Sequence, residues 1–149
     1  MFTVILVGCN KHPDPTPLTG QNAIFIGNWT WIKTTHKYGW CDGLSYESEM
    51  SPASEEVDYS FSISEKADIQ FFEDENMLSE HKVFVNSLEG DCVSYGGTIF
   101  YIYLDDDMDD PTMSLNGCVT DSSITVIRGF PYSSFNEECE RFISHFRKE

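Results

Sequence analysis

Five cysteines carry the most distinctive chemistry in this sequence. Cys41, Cys92, Cys118 and Cys139 lie in the body of the chain, and Cys9 stands apart near its start. No two of them are at C-x-x-C spacing, and no two histidines are at i, i+4, so zinc binding and thioredoxin-like redox chemistry gain little support. In an exported protein the four body cysteines predict two disulfides, with three possible connectivities. The alternative is four free thiols.

A run of aspartates in the second half of the chain suggests calcium binding. Asp105, Asp107 and Asp109 match positions 1, 3 and 5 of an EF-hand loop. Position 6 is Asp110 instead of glycine, and position 12 is Asn116 instead of a bidentate glutamate. The match fails at the positions where EF-hand geometry is strictest, so we expect a solvated loop without bound metal, in which Asp105, Asp107 and Asp109 are weak metal candidates.

Catalytic motifs are missing from the sequence. It has no G-x-S-x-G, no H-E-x-x-H, no Walker loop and no dinucleotide-binding glycine pattern. The four histidines are widely spaced, and among 25 Asp and Glu residues a pair at glycosidase-like separation would carry no weight. We therefore expect a protein that is not an enzyme and has no cofactor.

Length and composition predict one folded domain. The 149 residues are 40% hydrophobic and 14% aromatic, enough for a core and for a lined cavity. Lys and Arg number 9 against 25 Asp and Glu, which gives a net charge of −16. This charge repels nucleic acid and anionic lipid headgroups, and it favours cations or basic partners.

The N-terminal residues resemble the end of a lipoprotein signal peptide. Residues 6–9 (LVGC) are similar to the lipobox of bacterial lipoproteins, in which the cysteine becomes acylated with chains such as palmitate and forms the mature N-terminus. A Pro-rich polar segment follows, typical of a tether. We expect residues 1–8 to be signal peptide, 9–22 a tether and 23–149 the folded domain, with Cys9 anchoring the protein to the outer membrane. The alternative is a buried N-terminal strand with Cys9 in the core.

From Gly27 onward the chain alternates β-type runs with turns, the pattern of an all-β barrel or sandwich. The clearest run is residues 57–63, which alternate apolar and polar side chains. Further runs are predicted at 29–35, 67–72, 77–86, 97–104, 112–120 and 124–128, with a long connection at 36–56. Asn116-Gly117 is either a two-residue hairpin or a bulge. The last segment, 135–146, fits a helix as well as a strand.

Three short stretches resemble small lipocalin-like lipoproteins of Bacteroidetes-type bacteria. Residues 27–31 (GNWTW) are similar to the G-x-W opening of a lipocalin first strand, and 51–54 (SPAS) to the element before the second strand. Residues 71–78 lie where these proteins have a strand, a turn and another strand. The resemblance implies a closed eight-stranded up-and-down barrel with a long first loop and a C-terminal strand.

The implied barrel also implies how the cysteines pair. Successive connections of an up-and-down barrel alternate between its ends, which puts Cys41 and Cys139 at the open end. Cys92 and Cys118 then lie at the closed end. Because bridged Cα atoms must come within about 7 Å, the resemblance implies disulfides 41–139 and 92–118.

The resemblance further implies the structure of the barrel floor. In lipocalins an arginine near the chain end covers the first-strand tryptophan. The corresponding residues here are Trp29 and Arg147, with Arg141 the weaker candidate. This contact would close the floor and have no catalytic role.

The open end would hold most of the exposed aromatic residues, and we predict ligand contacts from Trp40, Tyr46, Phe130, Tyr132 and Phe135. Our first hypothesis is a monomeric, lipid-anchored protein that binds a small, mostly apolar molecule in the barrel calyx. The competing hypothesis is an interaction or inhibitor module whose acidic and aromatic rim binds a basic protein. A packed barrel would favour the second hypothesis, and a continuous apolar cavity the first.

Overall fold

The computed structural model describes residues 15–39, 41, 43–105, 107, 109–132 and 139–149. Nine strands dominate this part of the chain: β1 Gly27–Tyr38, β2 Tyr46–Met50, β3 Tyr59–Ile63, β4 Asp68–Glu73, β5 Asn76–Asp91, β6 Thr98–Leu104, β7 Ser114–Val119, β8 Ser123–Arg128 and β9 Glu140–Lys148. The described helices are short: a 3₁₀ helix Gly20–Phe25, an α-helix α1 Pro52–Glu55 and a 3₁₀ turn Pro111–Met113. None of them is long and apolar enough to cross a bilayer.

The strands form one antiparallel sheet that closes into a barrel. From β3 to β9 each strand pairs with the next, and β9 returns to pair with β1 from Trp29 to Tyr38. The predicted all-β, eight-stranded up-and-down barrel is therefore confirmed, including the strand at the C-terminus. We call the end with Gly27 the floor and the end with Tyr38 the mouth.

The ninth strand lies in the connection that we predicted to be a long loop. β2 pairs with the mouth half of β1, Tyr46 opposite Tyr38 and Met50 opposite Thr34. β3 pairs with the floor half of the same strand, Ile63 opposite Gly27. Since β9 occupies the other edge of β1, β2 and β3 share one edge, with α1 between them.

Register shifts occur in four of the described strand pairings, β1–β9, β4–β5, β5–β6 and β7–β8, and two of them affect the predicted elements most directly. A bulge between Trp31 and Lys33 exposes Ile32 and allows Trp31 and Thr34 both to be buried. A second register shift lies between Asn116 and Gly117, so this dipeptide is a bulge and not a hairpin. A Cβ on Gly117 would lie 1.8 Å from the Thr125 carbonyl oxygen, so the strands can approach this closely only with glycine there.

Both predicted disulfides are confirmed. Cys41 and Cys139 join the loop after β1 to the start of β9, with Cα atoms 5.1 Å apart. Cys92 and Cys118 join the β5–β6 connection to β7, with Cα atoms 6.0 Å apart. One bridge lies at each end of the barrel, the first at the mouth and the second near the floor.

The floor is closed by the N-terminal 3₁₀ helix and Trp29. The indole Nε1 of Trp29, which is fully buried, donates to the Phe25 carbonyl oxygen at 2.9 Å. Phe25 is also buried and meets Phe100 edge to face. The backbone N–H of Leu18, another buried residue, donates to the Glu65 carbonyl, so packing on the barrel begins within residues that we assigned to the tether.

The cation over the floor tryptophan is Lys148, which corrects our expectation for Arg147. The Lys148 ammonium lies 5.0 Å from the Trp29 ring centroid and donates to the Ile24 carbonyl oxygen at 3.2 Å. Lys148 is the direct cross-strand partner of Trp29, whereas Arg147 pairs with Thr30 and is exposed. Successive side chains of a strand point to opposite faces, so Arg147, one residue before Lys148, points away from Trp29.

Candidate binding site at the mouth of the barrel

Three strand segments extend along one side of the mouth: residues 34–38 of β1, all of β2 and residues 140–144 of β9. We call these segments the mouth wall. Directly paired residues share a face of a sheet, so Tyr46 lies on the same face as Tyr38. The opposite face carries ion pairs between Lys33 and Glu49, at 2.7 Å, and between Lys37 and Glu47, at 3.4 Å. The wall thus has a charged outer face and an aromatic inner face.

Rings contact one another along the inner face. Tyr46 stacks on Tyr38 with 5.4 Å between ring centroids, and Tyr38 stacks on His36 at 4.7 Å. The His36 ring is nearly parallel to the Phe142 ring, with an interplanar angle of 9° and 4.2 Å between centroids. Phe142 in turn stacks on Tyr132, with 5.6 Å between centroids. Tyr38 and Tyr46 are 39% and 48% exposed, so the outer end of this series of rings presents apolar surface to solvent.

A buried polar network fixes the base of the wall. The indole Nε1 of Trp31 donates to the Thr34 hydroxyl at 2.9 Å, and this hydroxyl is 2.7 Å from the Ser144 hydroxyl. All three residues are buried. His36, further up the wall, is joined to Glu140 by 2.7 Å between Nε2 and Oε1. These contacts link β1 to β9 where the wall leaves the body of the barrel.

The segment after β8 brings two more aromatic side chains into the barrel. Phe130 lies 4.6 Å from Phe71 and 6.3 Å from Phe146, measured between ring centroids. Tyr132 lies 6.0 Å from Trp31. Phe130 and Tyr132 are only half-buried. They fill the middle of the barrel, between the packed floor and the open mouth.

Tyr59, at the start of β3, lies between these two side chains. Its ring meets Phe130 at 5.5 Å and Tyr132 at 5.7 Å, nearly perpendicular in both cases. Burial raises the pKa of Tyr59 to about 12, and the neighbouring Tyr132 hydroxyl and Glu73 carboxylate add to this rise. Burial also raises the pKa of Tyr132, with the negative charge of Glu55 as a further cause. Two carboxylates therefore lie near the two phenol groups.

A small cleft of about 230 Å³ lies on the other side of residues 129–131. Its walls are mostly apolar, with Phe71, Leu78, Met113, Leu115 and Phe130 among the lining residues. His81 and several hydroxyl side chains contribute polar groups. The cleft is smaller than typical sites for drug-sized ligands, so it extends the apolar surface of the mouth instead of forming a deep calyx.

The structure brings three of the predicted ligand-contact residues to the mouth. Tyr46 lies on the inner face of the wall, and Phe130 and Tyr132 lie in the segment after β8. Trp40 and Phe135 fall outside the described residues, as does the predicted lipidation site Cys9. Sequence reasoning did not select Tyr38, His36, Phe142 or Tyr59. Tyr59 could have been found from its place in the alternating run 57–63. Tyr38, His36 and Phe142 could not, because their positions depend on where β1 ends and on the register between β1 and β9.

The aspartates compared with an EF-hand have other contacts in the structure. Asp105 accepts from the Lys82 backbone N–H at 2.7 Å and lies 2.6 Å from His81 Nδ1. Asp107 accepts from the Asp110 backbone N–H at 3.2 Å. Burial acts to raise the pKa of Asp105, but hydrogen bonds from the Lys82 backbone and His81, together with nearby positive charge, lower it overall. Within the described part of the chain, Asp109 included, no group of three or more His, Cys, Asp or Glu side chains could hold a metal ion.

Comparisons with known proteins add no further information about this site: no family model, no curated protein and no solved structure matches the chain.

Proposed function

We propose that this protein is a non-enzymatic binding protein that holds a small, mostly apolar ligand at the mouth of its barrel. The observation that carries the proposal is the series of contacting rings from Tyr132 to Tyr46, which ends in half-exposed aromatic surface. Aromatic surface at a concave end of a rigid scaffold is typical of ligand sites. Stacked rings best complement a ligand that is itself ring-shaped.

The packing of the lower barrel decides where the ligand would bind. Trp29, Phe61 and Phe146 are all buried there and in ring contact, Trp29 with Phe61 and Phe61 with Phe146. An eight-stranded barrel is just wide enough for its own side chains. A long acyl chain inserted to the floor would have to displace these rings, whereas a compact ligand on the mouth wall displaces none of them.

We further propose that the chain is a lipocalin-like lipoprotein of the bacterial cell envelope, anchored through Cys9 to the outer membrane. Two disulfides support a compartment outside the cytoplasm, since thiols stay reduced within the cytoplasm. The lipobox-like residues 6–9 support the anchor. Each buried acyl CH₂ contributes about 0.8 kcal/mol, so two or more chains would hold the acidic domain at the membrane.

Titration with N-phenyl-1-naphthylamine, a neutral planar fluorophore, tests the proposed site. We expect saturable binding of one probe per protein and a several-fold loss of affinity in a Tyr38→Ala, Tyr46→Ala double variant. Tyr101→Ala, Tyr103→Ala is the matched control, because this ring pair lies on β6 outside the barrel, with centroids 5.0 Å apart. Absence of saturable binding, or equal loss in both variants, would overturn the proposal.

The packed lower barrel also favours our second candidate, a module that binds a basic protein through its acidic and aromatic rim. The net charge of −16 would accelerate association with such a partner and make it sensitive to salt. Native mass spectrometry of the protein purified from its own membrane separates the two candidates. A co-purifying small-molecule mass supports the first, and a 1:1 protein adduct that dissociates in salt supports the second.

A further inference from the structure

We infer that the ligand of the mouth carries a positively charged organic ammonium group, placed on the rings of Tyr59 and Tyr132 with Glu55 and Glu73 as counter-charges. This inference rests on the proposed function, because it names the chemical class of ligand for the same site. It extends that proposal from a mostly apolar molecule to an amphipathic cation.

The rings around Tyr59 are arranged differently from those of the mouth wall. Tyr59 meets Phe130 at 88°, Tyr132 at 80° and Trp31 at 66°. Trp31 is buried behind the group, whereas the other three rings are half-buried. These rings pack on Tyr59 itself, and the half-buried rings keep part of their surface free. A free ring face attracts a cation, which is the interaction by which aromatic rings recognise quaternary ammonium groups.

The carboxylates at this point differ from the other mouth carboxylates in their partners. Glu47, Glu49 and Glu140 are joined to Lys37, Lys33 and His36, respectively. Glu55 and Glu73 form no ion pair with any lysine, arginine or histidine in the part of the chain that the structure describes. Glu73 is the direct cross-strand partner of Tyr59, and neither Glu55 nor Glu73 is paired with a cation among the described residues, which favours a ligand that brings the cation.

The environment of the tyrosine hydroxyls points to the same class of ligand. Burial is the first cause that raises the pKa of both phenols; the negative charge of Glu73 adds to the rise at Tyr59, and the charges of Glu55 and Glu73 add to it at Tyr132. Burial disfavours any charge, but the contribution from the carboxylates favours a cation over an anion at this place. An anionic ligand would meet the opposite effect, in addition to repulsion by the net charge of −16.

Isosteric probes test the charge preference. Phenyltrimethylammonium and tert-butylbenzene have nearly the same shape and differ in charge, and benzenesulfonate supplies the anion. We expect the cation to bind the full-length protein roughly tenfold more tightly than the neutral isostere. Benzenesulfonate should not bind detectably. Displacement of N-phenyl-1-naphthylamine measures all three affinities in one assay.

Charge-neutral variants then locate the site. Glu55→Gln, Glu73→Gln should reduce the affinity for phenyltrimethylammonium roughly tenfold and leave that for tert-butylbenzene unchanged. Glu47→Gln, Glu49→Gln is the matched control, since it removes the same number of charges from the outer face of the wall. Circular dichroism and thermal unfolding of both variants verify that each is folded.

The outcomes separate this inference from the proposed function. If all probes bind equally, or both glutamate pairs affect cation binding alike, the inference is wrong while the mouth remains a binding site for N-phenyl-1-naphthylamine. If that fluorophore fails to bind, and isothermal titration calorimetry detects no binding of the other probes, both proposals fail.

Discussion

The floor and the mouth of this barrel are both rich in aromatic side chains, and they use them differently. At the floor, Trp29 is buried, hydrogen-bonded through its indole N–H and covered by the Lys148 ammonium. At the mouth, Tyr38 and Tyr46 keep 39% and 48% of their surface exposed while stacking on each other. Floor rings therefore contribute mainly to stability, whereas mouth rings leave apolar surface that a ligand or partner can cover.

The two ends also differ in how they are held together. Floor packing involves the 3₁₀ helix, β1, β3 and β9, mainly through buried apolar contacts, to which the Trp29 indole hydrogen bond and the Lys148 ammonium add. The mouth wall is a three-stranded extension whose outer face carries exposed ion pairs, which contribute little to stability. The Cys41–Cys139 disulfide joins the loop beyond β1 to the start of β9, and the buried Trp31–Thr34–Ser144 network joins the same two strands at the base of the wall. Since Cys92–Cys118 gives the floor region a disulfide as well, the disulfides do not distinguish the two ends, whereas the exposed rings of the mouth do.

Truncating one aromatic residue at each end gives the largest expected contrast. Trp29→Ala removes a fully buried side chain and should lower the free energy of unfolding by about 3–5 kcal/mol. Tyr38→Ala removes a partly exposed ring and should cost less than about 1 kcal/mol. Denaturant unfolding followed by far-UV circular dichroism measures both. Similar losses in the two variants would contradict the division into a stabilising floor and an available mouth.

The all-β class was predictable because several runs alternate apolar and polar side chains, whereas the closed eight-stranded barrel and the disulfide pairing were implied only by the lipocalin-like resemblance. The alternation of Tyr59, Phe61 and Ile63 identified β3 directly, since one face is buried and the other polar. The predicted run 29–35 spans the bulge at Ile32 but misses the last residues of β1, 36–38, which have no buried face to indicate a strand. β2 has the sequence YESEM and four of its five residues are exposed, so it lacks the apolar face that indicates a strand.

The candidate site was predictable only where the chain order alone brings residues to the mouth. Tyr46 and Tyr132 lie in connections that any up-and-down barrel places there. Phe142 and His36 face each other because of the register between β9 and β1, which a single sequence does not specify. The same uncertainty of one residue led to Arg147 instead of Lys148 at the floor.

Removing one hydroxyl should weaken the junction between the wall and the barrel body. Thr34→Val leaves the Trp31 indole N–H and the Ser144 hydroxyl without their shared partner, so we expect a loss of about 1–3 kcal/mol in unfolding free energy. Thr34→Ser keeps the hydroxyl and is the control, with a smaller loss from the missing methyl group. If valine is tolerated as well as serine, the network does not fix the wall.

Alkaline pH should destabilise the protein through Tyr59. Its pKa is about 12 in the folded protein and about 10 when unfolded, so between these values the unfolded chain has lost a proton that the folded one retains. Stability is therefore unaffected by this group below about pH 10 and falls as the pH rises towards 12. Urea unfolding at pH 9 and pH 11 should show a smaller drop for Tyr59→Phe than for the unchanged protein. An identical drop in both would mean that Tyr59 does not retain its proton.

The smallest expected effect compares two neighbouring cations at the end of β9. Lys148→Met keeps an apolar stem but removes the ammonium over Trp29 and its hydrogen bond to the Ile24 carbonyl, so we expect a loss of about 0.5–1 kcal/mol. Arg147→Met, on the exposed face beside it, should change the unfolding free energy by less than about 0.5 kcal/mol. Denaturant midpoints resolve such a difference when both variants share the same slope. A larger loss for Arg147→Met would restore the arginine to the floor and shift the register of β9 against β1 by one residue.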